Sequence, residues 1–157
     1  MKKLTVCFVI FLVLALAGTV VYLLAGPDFT APAALEARDE DPDAPVWNMT
    51  MDDLIDYLEE KGFWDRSKML TISSEDVADQ AFFYDHIEIY WWNLDNPNED
   101  SPEYRAYLDM KETGQIDLYG RGTSFMATTK NGPFGLNSAF YEGDVKALEE
   151  AFLAFGH

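Results

Sequence analysis

Cysteine occurs once, at Cys7, so no intramolecular disulfide can staple a fold built by the remaining residues. Its position near the start of an apolar run also argues against a lipoprotein, whose acylated cysteine would close such a run. Histidine occurs twice, at His86 and His157, too few for a three-histidine zinc site and poorly placed for a triad. Basic residues are scarce: 11 Lys and Arg face 28 Asp and Glu. Once Lys2 and Lys3 are set aside, nine basic residues oppose 28 acidic ones, a formal balance of −19. Such a surface repels nucleic acid and anionic headgroups, so neither is an expected partner. The motifs G-x-S-x-G, H-E-x-x-H, the P-loop and paired C-x-x-C are all missing. Gly120-Arg121-Gly122 begins like a dinucleotide fingerprint but lacks the third glycine and runs into a strand pattern. No cofactor is expected.

What the chain does have starts with Met1-Lys2-Lys3 and an uncharged run from Leu4 to Ala25. As a helix this run would measure about 33 Å, enough to cross a bilayer. Lysines before the span and Asp28 and Glu36 after it predict a cytoplasmic N-terminus and an exported remainder. Residues 1–25 therefore read as a single-pass anchor. The small-x-small triplet Ala15-Leu16-Ala17 keeps a cleaved signal peptide, and hence secretion, as the alternative. Residues 26–45 hold four of the seven prolines and an acidic run, Asp39 to Asp43, which predicts an extended linker. Residues 46–157 remain for one exported core.

That region carries clear local signals. Thr50 and Asp53 form a potential capping box, Met51, Leu54, Ile55 and Leu58 share one helical face, and Gly62 stops the helix. Residues 81–94 are rich in aromatic and β-branched types and exceed a usual strand, so a break is expected at Asp85-His86. In the second half, Ile87, Ile89 and Trp91 form the expected core face and Glu88, Tyr90 and Trp92 the opposite one. Ser101-Pro102 starts a second helix with Tyr104, Tyr107, Leu108 and Lys111 at helical spacing, closed by Gly114. Gln115 to Tyr119 follows as a short strand. Asn131-Gly132 predicts a hairpin turn, which would set Thr129 opposite Phe134 and Ala127 opposite Leu136. A third helix, from Asp144 to Phe155, places Val145, Leu148, Phe152 and Phe155 on one face. The expected fold is α+β: an antiparallel sheet of four to five strands with three helices packed on one face.

Aromatics make up 15% of the chain. Tyr90 and Trp92, on the face away from the expected core, are candidate ligand-binding rings. Asp95, Asn98, Glu99 and Asp100 offer several oxygens in one loop and are candidate calcium ligands, although the EF-hand glycine is missing and Ala106 stands at the twelfth position. His86 with Glu88 is a conceivable acid–base couple, against the plainer reading of a turn residue among acids. The crowding of acids predicts raised carboxylate pKa values, hence stability rising from about pH 8 toward about pH 5.

The anchor and acidic linker, the stretch Glu88-Ile89-Tyr90-Trp91-Trp92, a short helix, and Asn131-Gly132-Pro133-Phe134-Gly135-Leu136 before a closing helix together resemble small exported or membrane-anchored domains of unknown function from Gram-positive-type bacteria. The resemblance transfers no catalytic residue. The functional expectation is a tethered, monomeric binding or interaction module for a protein or envelope partner. The alternatives are a carboxylate- or metal-dependent hydrolase, or a structural subunit of a membrane complex.

Overall fold

The structure, a computed structural model, describes residues 41–95, 97–118, 122 and 124–157. The predicted anchor and most of the linker lie outside these residues. Among the described residues no helix is long and apolar enough to cross a membrane.

Helix α1 (Met51–Glu60) forms where the capping signals place it. Thr50 Oγ1 accepts from the Asp53 amide at 3.3 Å, and the Asp53 carboxylate accepts from the Thr50 amide at 2.8 Å. Met51, Leu54, Ile55 and Leu58 are buried, each contributing about 1.5–3 kcal/mol of transfer free energy. The acidic face carries Asp52 and Asp56, which share the guanidinium of Arg66. The carboxylates here do not follow the crowding expectation. The hydroxyl and then the amide of Thr50 hold Asp53 below the usual carboxylate range. Lys68, followed by Ser67, does the same for Asp65. Local hydrogen bonds to the charged form thus outweigh diffuse repulsion at both positions.

Strands β1 (Leu70–Thr71), β2 (Gln80–Tyr84) and β3 (Ile87–Trp91) form a meander. The break falls at Asp85-His86, whose φ values of 46° and 64° make the two-residue turn that the right-handed twist favours. Helix α2 (Pro102–Thr113) follows, with the Ser101 hydroxyl accepting from the Tyr104 amide at its start and Gly114 in the left-handed region at its end. Its buried face is Ala106, Tyr107 and Met110, while Leu108 is exposed, so the predicted stripe is rotated by about one residue.

The hairpin expected around Asn131-Gly132 is corrected. Strand β6 (Thr129–Asn131) pairs with β7 (Phe134–Asn137) so that Asn131 faces Phe134 and Thr129 faces Leu136. The turn is therefore Gly132-Pro133. Gly132 has φ 54°, and proline's fixed negative φ suits the second position of a II′ turn, where no ladder N–H is needed. Strand β5 (Phe125–Ala127) leaves the predicted ribbon to pair with β4 (Gln115–Asp117). Helix α3 (Val145–Ala154) closes the fold, capped by the Asp144 side chain accepting from the Ala147 amide at 3.0 Å.

The result is an α+β domain with three helices and a five-stranded antiparallel sheet ordered β1-β2-β3-β7-β6, beside a β4-β5 ribbon. The helices do not share one face. Ile87, Ile89, Phe134 and Leu136 pack with residues of α1 and α3. Ala81, Tyr90 and Trp92 pack with Tyr107 and Met110 of α2 and Ile116 of β4. The end of the predicted linker also joins the fold. Ala44 is buried, and Val46 lies against Gly132 and Gly156, its amide donating to the Gly156 carbonyl at 3.3 Å.

Candidate functional site

Where the chain leaves β3 it is held from three sides. The Trp92 amide donates to the Pro133 carbonyl at 3.0 Å, and its indole N–H donates to the Val77 carbonyl at 2.8 Å. The Asp79 amide donates to the Trp91 carbonyl at 3.1 Å, while the Asp79 carboxylate accepts from the Asn93 amide at 2.8 Å. The next residues turn back through side-chain-to-backbone bonds, Asp95 N–H to Asn93 Oδ1 and Asp100 N–H to Asn98 Oδ1, both 3.2 Å. Ser101 then starts α2.

This path encloses a cleft of about 330 Å³ whose lining includes Asp79, Trp92, Asn93, Asn98, Glu103 and Tyr104. The volume lies at the lower end of the range of small-ligand sites. Behind it the rings form a continuous series: Tyr104 with Tyr107 at 6.4 Å between centroids, Tyr107 with Trp92 at 5.7 Å, and Trp92 with Tyr90 at 6.2 Å. Burial, with Tyr104 beside it, pushes the Tyr107 phenol up to about 12. Tyr104 is half-buried.

The two rings singled out from sequence are not an exposed patch. Tyr90 is 3% and Trp92 1% exposed, because α2 covers the face they occupy. Trp92 reaches a ligand only as part of the cleft wall. Tyr90 instead joins a polar group. Its phenol donates to Glu88 at 2.8 Å, and the Asn137 side-chain amide donates to the same carboxylate oxygen at 2.8 Å across the strand pair. Burial first, and the Glu88 charge second, hold the Tyr90 phenol far above its ordinary range. His86 does not couple to Glu88. It stands in the exposed turn with its ring edge-on to Phe83, centroids 6.0 Å apart.

The predicted calcium ligands are all exposed. Asn98 spends its carbonyl oxygen on the Asp100 amide, and Asp100 lies 3.8 Å from Arg105. Among the described residues no three His, Cys, Asp or Glu side chains are grouped so as to hold a metal ion, so Asp95, Glu99 and Asp100 are not brought together. Of the loop candidates only Asn98 reaches the cleft. Sequence reasoning missed Asp79, Asn93 and Glu103. The signal available for Glu103 was its place in the first turn of a well-capped helix.

No protein-family model, no curated protein and no solved structure matches this chain, so the chemistry of the cleft is the ground on which its function is read.

Proposed function

We propose that the chain is a membrane-anchored extracytoplasmic binding module whose ligand sits in the cleft lined by residues 92–94, Pro97, Asn98 and the start of α2. Residues 4–25 hold it in the membrane, the following linker spaces it from the surface, and the domain recruits a protein or envelope partner without chemistry. The observation that carries this reading is the lining itself, in which the half-buried Tyr104 stands with Asp79, Glu103, Asn93 and Asn98, and the buried Trp92 forms the floor of a scaffold fixed by side-chain-to-backbone hydrogen bonds. Aromatic surface with a few oriented polar groups is the usual make-up of a small-ligand site.

The test is an NMR titration of the full chain in a polyoxyethylene detergent with neutral sugars, amines and short peptides. Saturable shifts confined to Asn93, Asn98, Tyr104 and their neighbours are expected for at least one class, and Tyr104→Ala abolishes them. Shifts confined to another surface, or none with any class, would overturn the reading.

A further inference from the structure

Resting on that reading of the cleft, we infer that its ligand is an organic cation, a primary ammonium or guanidinium group carried by a small amine or by a lysine or arginine side chain of a partner. The carboxylates lining the cleft are those of Asp79 and Glu103, and among the described residues no basic side chain lines it. Neither acid forms an ion pair among the described residues. The hydrogen bond found at Asp79 comes from the neutral amide of Asn93, and it leaves the second carboxylate oxygen available. The half-buried Tyr104 adds ring surface of the kind that attracts a desolvated cation, and the buried Trp92 ring backs it through Tyr107.

One feature opposes this, since the start of α2 also borders the cleft through Ser101 and Glu103. A helix N-terminus carries about half a positive charge. It is already answered in part: Ser101 takes the Tyr104 amide, and Pro102 has no amide to offer. Two unit negative charges outweigh what remains. The field of the whole chain acts in the same direction, with a formal charge of −17 that concentrates cations near the surface.

The occupant follows from this charge and size. A guanidinium places planar donors toward two carboxylates while its face lies on a ring, and the volume of about 330 Å³ admits it with its alkyl stem. A neutral sugar would use the rings and amides but would leave both carboxylates without a counter-charge.

The experiment is calorimetric titration of the full chain in polyoxyethylene detergent with four probes: butylguanidinium, butylammonium, butanol and methyl glucoside. Glu103→Gln is the principal variant because the Glu103 side chain takes no part in the hydrogen bonds that shape the loop. Asp79→Asn is the second, read beside its melting curve because Asp79 also holds Asn93. Both cations bind saturably, and butanol does not. Each variant weakens butylguanidinium binding about fivefold, as expected for a partly exposed charge pair. Raising the salt from about 20 mM to about 300 mM weakens it further, because screening shortens the reach of the acids. Equal binding of butanol, or an unchanged Glu103→Gln variant, overturns the cation assignment. Tyr104-dependent binding of methyl glucoside alone would also overturn it while leaving the cleft as a binding site. Binding of none of the probes, with no NMR shift at the cleft for any ligand class, removes both readings.

Discussion

The side-chain amide of Asn131 donates to the carbonyl of Phe152 at 2.7 Å, joining the end of β6 to the last turn of α3 across 21 residues of sequence. The same amide nitrogen donates to the Phe155 carbonyl at 2.9 Å, and Asn131 Oδ1 lies 3.0 Å from the His157 ring. The residue is buried and bonds two carbonyls at the C-terminal end of α3, of which that of Phe152 also accepts from the Phe155 amide at 3.3 Å. It is not a turn residue.

That distinction gives the first prediction. Were Asn131 needed for turn geometry, glycine would replace it at little cost. In the observed register Asn131→Gly removes both bonds and takes from the Phe155 carbonyl the donor found for it, while Phe152 keeps the Phe155 amide, costing about 2 kcal/mol. Urea unfolding should show a lower midpoint with unchanged slope, and Asn131→Ala should behave alike. A neutral Asn131→Gly would return the turn to Asn131-Gly132.

Gly135 sits opposite Tyr90 on the face covered by α2. A Cβ there would lie 2.9 Å from Thr128 Cγ2 and 3.2 Å from two atoms of the Trp92 ring. Overpacking of this kind costs about 1–3 kcal/mol. Gly135→Ala is therefore destabilising, and adding Thr128→Ser, which deletes the nearer methyl, recovers part of the loss. Additive behaviour in the double variant would argue that the contact is not the cause.

The helix starts and the 85–86 turn were legible in sequence because their causes are local: a cap and its amide are three residues apart. The Gly132-Pro133 register was not, because what fixes Asn131 lies at residues 152–157. The departure of residues 125–127 toward residues 115–117 likewise depends on a distant partner. Strand alternation correctly separated Ile87 and Ile89 from Tyr90 and Trp92. It carried no information on whether something covers the second face. Leu108 drew the predicted stripe of α2 toward itself, while the small Ala106, a weak hydrophobic signal, is the residue that packs.

The site was less legible still. Alternation places Tyr90 and Trp92 on the face away from the expected core, yet both are covered; Tyr104, which helical spacing marks only as a helix-face residue, lines the cleft. Asp79 reaches Asn93 through a strand pairing and a backbone bond that no local pattern announces.

The pH profile follows from three buried or half-buried groups. Burial lowers Lys130, whose ammonium lies over the Trp47 ring, from 10.5 to about 8. Between these values the unfolded chain binds the extra proton, so stability rises with pH from about 8 toward about 10. Tyr107, raised to about 12, and Tyr90, raised further, reverse the sign. Above about pH 10 the unfolded phenols lose protons that the folded ones keep, so stability falls as pH rises. Melting temperatures between about pH 7 and about pH 11.5 should pass through a maximum. Lys130→Met removes the rising limb and Tyr107→Phe reduces the falling one. A rising limb that survives in Lys130→Met would show that burial of this amine is not its source.

Two buried tryptophans provide the sharpest comparison, because the same substitution has opposite polar consequences in each. The indole N–H of Trp92 is paired with the Val77 carbonyl at 2.8 Å. Trp92→Phe breaks that bond, leaves the carbonyl unsatisfied beneath α2 and opens space beside Tyr107 and Gly135, which together cost about 3 kcal/mol or more. The indole N–H of Trp64 is buried with no hydrogen-bond partner among the described residues, while its ring packs against Tyr84 at 5.5 Å. Trp64→Phe also leaves a cavity, but it removes a stranded donor worth about 1–3 kcal/mol, so the two terms offset and the net change stays within about 1 kcal/mol. Chemical denaturation of both variants decides the matter. Equal losses would mean that the Trp64 N–H finds a partner, such as a bound water, and that both substitutions cost mainly through lost volume.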